Sequence, residues 1–294
     1  MGFARLASPA NLPTAAADIC AGLAIGLYVQ SIDADLFIPQ HIGMVLTLVC
    51  SSIFLYAGGV VFNDVFDAEL DAVERPERAI PSGIVSMSEA KIWGVLLLVS
   101  GVLLAFTCTI LSGVISVLLA VAILAYDAYS KHHAFFGPLN MGICRGLNLL
   151  LGVSILGSVG PWWISIVPIV YIFAITMISR GEVHGNNKSH ILLAGILYAI
   201  VVVAIALLIG LQTNSFLIVV PFLMLFAILI FVPLSRAYHE NSPKNIKKAV
   251  ISGVLSLIVM NACWVAGFSS WYLALGVLLL FPLSIVLSKL FAVT

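Results

Sequence analysis

The sequence predicts an all-α, polytopic transmembrane bundle of nine to ten helices, and three observations predict it. The chain of 294 residues is 62% apolar and 9% charged, where a soluble globular domain carries about 25% charged residues. Its mean hydropathy is +1.17. Runs of roughly the twenty apolar residues that cross a bilayer recur along its whole length. The cations are also sorted between alternate connections, as membrane topology requires.

Residues 1–12 form a short polar lead, and Asn11 with Pro13 reads as the cap and first-turn proline of a helix reaching Val29, with Asp18 near its start. Further spans are expected near 42–62, 90–111, 113–129, 138–157, 162–180, 190–210, 214–235, 247–268 and 271–290. No soluble segment or clear repeat divides them, so residues 1–294 are read as one integral-membrane domain. The first residues lack a charged region followed by a cleavable apolar stretch, so no removable signal peptide is expected.

The turns at 31–40, 112–113, 157–161, 211–214 and 269–270 contain no Lys or Arg. The alternate connections and adjoining helix ends hold Arg75, Arg78, Lys91, Lys131, Arg145, Arg180, Lys188, Arg236, Lys244, Lys247 and Lys248. With ten spans, Arg5 and Lys289 join them, which puts all 13 cations on one side. That side is expected to be cytoplasmic, in the inner or plasma membrane if the cell is bacterial. A formal net charge of zero argues against a nucleic-acid partner. The basic stretch from Arg236 to Lys248 suits anionic membrane lipids. Five cysteines lie singly with no CxxC spacing and read as packing residues.

One polar run stands out at the cytoplasmic end of the second span, Asn63-Asp64-Val65-Phe66-Asp67-Ala68-Glu69-Leu70-Asp71. If it continues the preceding helix, Asp64, Asp67 and Asp71 fall at i, i+3 and i+7 on one face, and Asn63 joins Asp67 at i+4. A solvated helix end accounts for the same residues. Three converging carboxylates, however, repel one another unless a cation lies between them. Oxygen ligands without Cys or His favour magnesium over zinc, and magnesium usually keeps a substrate phosphate as a ligand.

Other polar groups belong to the same face. Tyr126, Asp127 and Lys131 precede two loop histidines, and Arg145 lies about seven residues into an apolar helix. A charge at mid-membrane costs about 2.5 to 3.5 kcal/mol, so Arg145 should face a polar cavity or an anion. In the next loop, Glu182 and Asn186 are one helical turn apart, after Arg180. Acidic metal ligands and several cations at the mouth of an apolar bundle suit an amphiphile with a diphosphate head and an isoprenoid tail.

The run Asn63 to Asp71 resembles the NDxxDxxxD motif of the UbiA superfamily of intramembrane prenyltransferases. The following Arg75-Pro76-Glu77-Arg78-Ala79-Ile80-Pro81-Ser82-Gly83 is similar to the motif's usual sequel. Tyr126 and Lys131 match the tyrosine and lysine of the family's next loop, and Pro9 with Asn11 resemble its N-terminal Arg-Pro-x-Asn, with Ser8 in place of the arginine. The second acidic motif is altered to Glu182-Val183-His184-Gly185-Asn186, and the loop around it is most similar to the EboC-type branch.

The resemblance implies a nine-helix prenyltransferase fold and magnesium-dependent transfer from a prenyl diphosphate donor to an aromatic or other lipophilic acceptor, with release of pyrophosphate. It implies Asp64, Asp67 and Asp71 as magnesium ligands, with Glu182 and Asn186 at a weaker second metal. Lys131, Arg145, Asn63, Tyr126, Arg75 and Arg180 become candidate contacts to the diphosphate. Asn11 and Asp18 become candidates for the acceptor pocket. A carrier of an amphiphilic metabolite that catalyses no transfer is the competing class, and the altered second motif is its support.

Overall fold

The computed structural model describes Leu6 and residues 9–180 and 188–291. Ten helices in it are long and apolar enough to cross a membrane, which resolves the expected nine to ten in favour of ten. A 3-10 turn, Pro9–Asn11, leads into α1 (Leu12–Val29), then α2 (Ala34–Gln40), α3 (Ile42–Phe66) and α4 (Ala68–Glu74). Helices α5 (Met87–Cys108), α6 (Ile110–Ala125) and α7 (Phe136–Val153) complete the first part of the bundle. The rest is α8 (Ile166–Ser179), α9 (Lys188–Gln212), α10 (Phe216–His239), α11 (Pro243–Phe268), α12 (Trp271–Leu278) and α13 (Leu280–Phe291). The last two share one span, broken at Leu279.

Side-chain size explains which helices are central. Lipid tails are as apolar as leucine, so membrane helices associate through close packing and polar contacts rather than through expulsion of water. Helix α1 is rich in Ala and Gly and is buried on nearly every side, from Pro13 to Leu27. Its Ala17, Ala21, Ala24 and Ile25 join a core built mainly by α8 to α11. Its Ile19, Leu23 and Leu27 join a second core with α3, α5 and α6. Helix α9 instead turns Leu192, Ile196, Ile200, Val203 and Leu207 outward, where lipid would meet them.

The approach of α1 to α7 brings two backbones together. A Cβ added at Gly22 would fall 2.2 Å from the carbonyl oxygen of Leu149, and one at Gly152 would fall 2.6 Å from that of Ile19. Either substitution forces two backbones apart. Gly22→Val is therefore expected to destabilise the protein by about 1–3 kcal/mol or more, as overpacking does. Gly43→Val is the control, because a Cβ there meets nothing within 4 Å. Melting curves of the two variants in detergent check this, and equal melting points would contradict it.

Two expectations for local structure are corrected. Asn11 occupies the cap position of α1 but makes no side-chain cap bond. The connection after the first span contains α2, nucleated by the Asp33 carboxylate accepting from the backbone N–H of Asp35.

Candidate active site

The polar run does not continue α3 without interruption, since the helix yields at Asp67 and α4 begins at Ala68. The backbone nevertheless keeps its i to i+4 bonds, Asp67 N–H to the Asn63 oxygen at 3.0 Å and Asp71 N–H to the Asp67 oxygen at 2.8 Å. The helical spacing of the carboxylates is thereby largely kept. After α4, the chain turns back through Gly83, whose φ of +74° favours glycine. The Gly83 N–H bonds the Ile80 oxygen at 3.0 Å, and the Val85 N–H bonds the Ala79 oxygen at 3.0 Å. This loop carries Arg78 back over the acids.

Arg78 Nη1 lies 2.5 Å from Asp64 Oδ1 and 3.1 Å from Asp71 Oδ2. One positive centre is thus shared by two carboxylates. Lys131 Nζ lies 2.5 Å from Asp67 Oδ1, and its side chain is only 8% exposed. Lys131 comes from the end of a π-helical turn, Tyr126–Ser130, that extends α6. Such turns are frequent at functional sites. The same turn buries Asp127, which accepts a bond of 2.9 Å from Asn63 Nδ2. Counted over the ion-paired side chains and Asp127, four carboxylates meet two cations, a formal charge of −2, with Arg75 acting on Asp64 from further off.

Among the described residues, no three His, Cys, Asp or Glu side chains are gathered as a metal site. Asp67 is turned to Lys131, while Asp64 and Asp71 face Arg78. Magnesium does not need three protein carboxylates, because it commonly takes one or two and completes its shell with water and substrate phosphate. The oxygen-only donors around one cationic centre fit that ion.

Below the mouth, a cavity of about 320 Å³ runs between α3, α6 and α7. Asn63, Tyr126 and Asp127 line its outer end, Gly59, Val60, Leu119 and Ile123 give it an apolar stretch, and Ser52, Tyr56, Arg145 and Asn148 also line it. Along α3, Ser52 is about 16 Å from Asn63 at the rise of an α-helix.

A buried polar network supports that inner wall. Arg145 Nη1 donates to Asp18 Oδ2 at 2.7 Å, and Nη2 donates to the Thr14 hydroxyl. Asn148 Nδ2 donates to Asp18 Oδ2 at 2.9 Å, and Asn261 Nδ2 donates to Asp18 Oδ1 at 2.7 Å. The Ser52 hydroxyl donates to Asn148 Oδ1 at 2.7 Å. The Arg145 guanidinium also lies 5.4 Å from the centre of the Tyr56 ring, within cation–π range.

The structure brings together Asn63, Asp64, Asp67, Asp71 and Lys131 at the mouth, and Tyr126 beside them in the cavity wall. Others stand at its rim or deeper in the bundle. Arg75 is exposed and forms no ion pair with the three aspartates, although its charge still reaches Asp64. Arg180 ties down the loop, with Nη2 donating to the His133 carbonyl at 2.5 Å. Arg145 faces both an anion, Asp18, and the cavity. Asp18, near the start of α1, is buried, being 1% exposed. Glu182 and Asn186 lie outside the described residues. Sequence reasoning gave Arg78 too little weight, put Asp127 on this face without giving it a part, and did not single out Ser52, Tyr56 and Asn148 in the cavity wall or Asn261 behind Asp18.

Comparison with known proteins identifies the fold and the family. The UbiA prenyltransferase family matches residues 22–250. A digeranylgeranylglyceryl phosphate synthase of Methanococcoides burtonii is 34% identical over 115 residues, 39% of this chain and 41% of that protein. The protein of the same name from Sulfurisphaera tokodaii is 29% identical over 157 residues, 53% of this chain and 56% of that one. The chain thus spans about half the length of the curated relatives it matches. A UbiA homologue from Archaeoglobus fulgidus, solved bound to GPP and Mg2+, has the same fold at a TM-score of 0.66 and 14% identity, covering 90% of this chain and 99% of that one. With the family's match spanning most of its length, the chain belongs to the UbiA prenyltransferase family.

Proposed function

We propose that this protein transfers a prenyl group from a prenyl diphosphate to a lipid-soluble acceptor within the membrane, releasing pyrophosphate. The reading is carried by one observation: Asp64 and Asp71 share a cationic centre, and Asp67 pairs with Lys131, at the mouth of a cavity with an apolar wall. The mouth is cytoplasmic by the distribution of Lys and Arg. Relatives named as digeranylgeranylglyceryl phosphate synthases support a prenyl donor.

Asp64 and Asp71 would hold magnesium, with Asp67 and Asn63 beside them. When bound, the ion would neutralise diphosphate oxygens and favour departure of pyrophosphate. Lys131 supplies a point charge, and Arg78 a planar fork that matches phosphate. Both cations start on carboxylates, so they can exchange those partners for phosphate oxygens without leaving the mouth. The allylic carbon–oxygen bond breaks as pyrophosphate takes the electron pair. The prenyl carbon then bonds to the acceptor, which loses a proton. The apolar wall at Val60, Leu119 and Ile123 keeps water from competing for that carbon.

A mouth of charge −2 repels a bare diphosphate, so donor binding should require a divalent cation. In liposomes with labelled prenyl diphosphates of several lengths, magnesium is expected to permit donor binding and pyrophosphate release, and a chelator to abolish both. Release unaffected by chelation would overturn the reading. Tight donor binding without turnover across a broad acceptor panel would favour a carrier instead.

A further inference from the structure

The mouth buries an acid to which the transfer mechanism gives no part. Asp127 is 4% exposed and makes no ion pair among the described residues. Its side chain has one hydrogen-bond partner among them, the amide nitrogen of Asn63 at 2.9 Å. Burying a carboxyl group is costly unless it is bonded, so this single bond carries weight.

Two helices lying side by side set its place. The π-helical turn Tyr126–Ser130 is closed by the Lys131 N–H on the Tyr126 oxygen at 3.0 Å, and it turns both Asp127 and Lys131 toward α3. Asn63 and Asp67 are one turn apart on α3. Asn63 bonds Asp127 and Asp67 pairs with Lys131, each across 64 positions of sequence. The two contacts are rungs of one register, and α3 contributes an amide to one and a carboxylate to the other.

An amide has two unlike ends. Its oxygen accepts hydrogen bonds and can ligate a hard cation, whereas its NH2 only donates and repels one. Without a fixed partner, Asn63 could turn either end to the mouth. Asp127 removes that freedom, because its carboxyl oxygen accepts from the amide nitrogen. A carboxyl group keeps an accepting oxygen with or without its proton, so the orientation does not depend on the charge of Asp127. The Asn63 oxygen bonds nothing among the described residues, and Asn63 directly precedes Asp64, which shares its cationic centre with Asp71.

We propose that Asp127 is a positioning residue for the metal site: it pins the nitrogen of Asn63 and so presents the amide oxygen, rather than the NH2, to the divalent ion held at Asp64 and Asp71. The proposal deepens the transfer reading, on which the presence of that ion rests. Asp127 acts through Asn63 and not on the ion itself.

Metal binding without turnover tests it. The purified protein in detergent, mixed with geranyl thiodiphosphate, whose bridging sulfur resists cleavage, is titrated with Mn2+, which suits the same oxygen ligands as Mg2+. Free Mn2+ is read by electron paramagnetic resonance against a protein-free blank. Asp127→Leu removes the acceptor and should weaken Mn2+ binding about tenfold or more, as loss of a partner that orients a metal ligand does. Asp127→Asn removes the charge but keeps an oxygen that accepts, and should stay within about threefold of the parent. In an Asn63→Ala background, Asp127→Leu should add no more than about twofold, because the group it orients is gone. Asp127→Ala takes the place of Asp127→Leu if the latter does not fold.

Parental Mn2+ binding by Asp127→Leu, or no binding by the parent above the blank, would overturn the proposal. So would an Asp127→Asn protein as weak as Asp127→Leu, which would make charge the cause. An equal loss with and without Asn63 would also overturn it, since Asp127 would then act on the ion directly. Pyrophosphate release by the parent with geranyl diphosphate and magnesium is measured separately. Its absence defeats the transfer reading and leaves the metal comparison standing.

Discussion

An Asp64→Asn protein is expected to lose about 100- to 1,000-fold in prenyl transfer, the range seen when one preorganised electrostatic group is removed from an active site, while melting near the parent. The amide preserves the shape of the carboxylate, and Arg78 keeps Asp71 at 3.1 Å. What changes is charge. The mouth passes from −2 to −1, and the shared position between Asp64 and Asp71 attracts a divalent ion less strongly. Raising the magnesium concentration should therefore recover part of the activity, which a defect in folding would not allow. Glu74→Gln and Glu77→Gln are the controls, because these acids belong to the same stretch but are exposed; both should transfer at the parental rate. Full activity of Asp64→Asn at unchanged magnesium dependence would remove Asp64 from the metal site.

That prediction was largely accessible from the sequence because its residues are local. Asn63 to Asp71 spans little more than two helical turns, so helical periodicity alone brings the acids toward one face. The choice between Arg75 and Arg78 was not accessible in this way. It depends on how the turn at Gly83 folds the loop back, and spacing along the chain says nothing of that. Asp127 was also obscured: its burial follows from the π turn, which shifts the register at the end of α6.

The membrane spans were legible for a simpler reason, since lipid demands long apolar runs whatever their neighbours are. Which spans lie inside was not. The Ala and Gly residues of α1 mark close packing, but only the backbone approach at Gly22 and Gly152 sets Asp18 beside Arg145, 127 positions away. The cost of a mid-membrane charge told us that Arg145 needed a polar cavity or an anion. It did not identify which anion, and the structure supplies Asp18 at 2.7 Å.

Arg145→Leu is expected to destabilise the protein by about 3–5 kcal/mol, the cost of breaking a buried ion pair by removing one partner. The loss comes less from the missing attraction than from the charge left behind. Asp18 would keep its bonds from Asn148 at 2.9 Å and Asn261 at 2.7 Å, but its negative charge would remain uncompensated in an apolar bundle. Adding Asp18→Asn to Arg145→Leu removes that charge and leaves an amide oxygen to accept from one of the two asparagines. The double variant should therefore melt higher than the single one, although it has lost more of the original contacts. Arg78→Leu provides the contrast. The Arg78 side chain is 31% exposed, while the Asp64 and Asp71 side chains it leaves are 17% and 8% exposed, so its loss should cost about 1–3 kcal/mol, less than that of the fully enclosed Arg145. Tryptophan fluorescence melts of the four proteins in one detergent measure all three differences. An Arg145→Leu protein that melts with the parent, or a double variant no more stable than the single, would show that Asp18 and Arg145 do not neutralise each other.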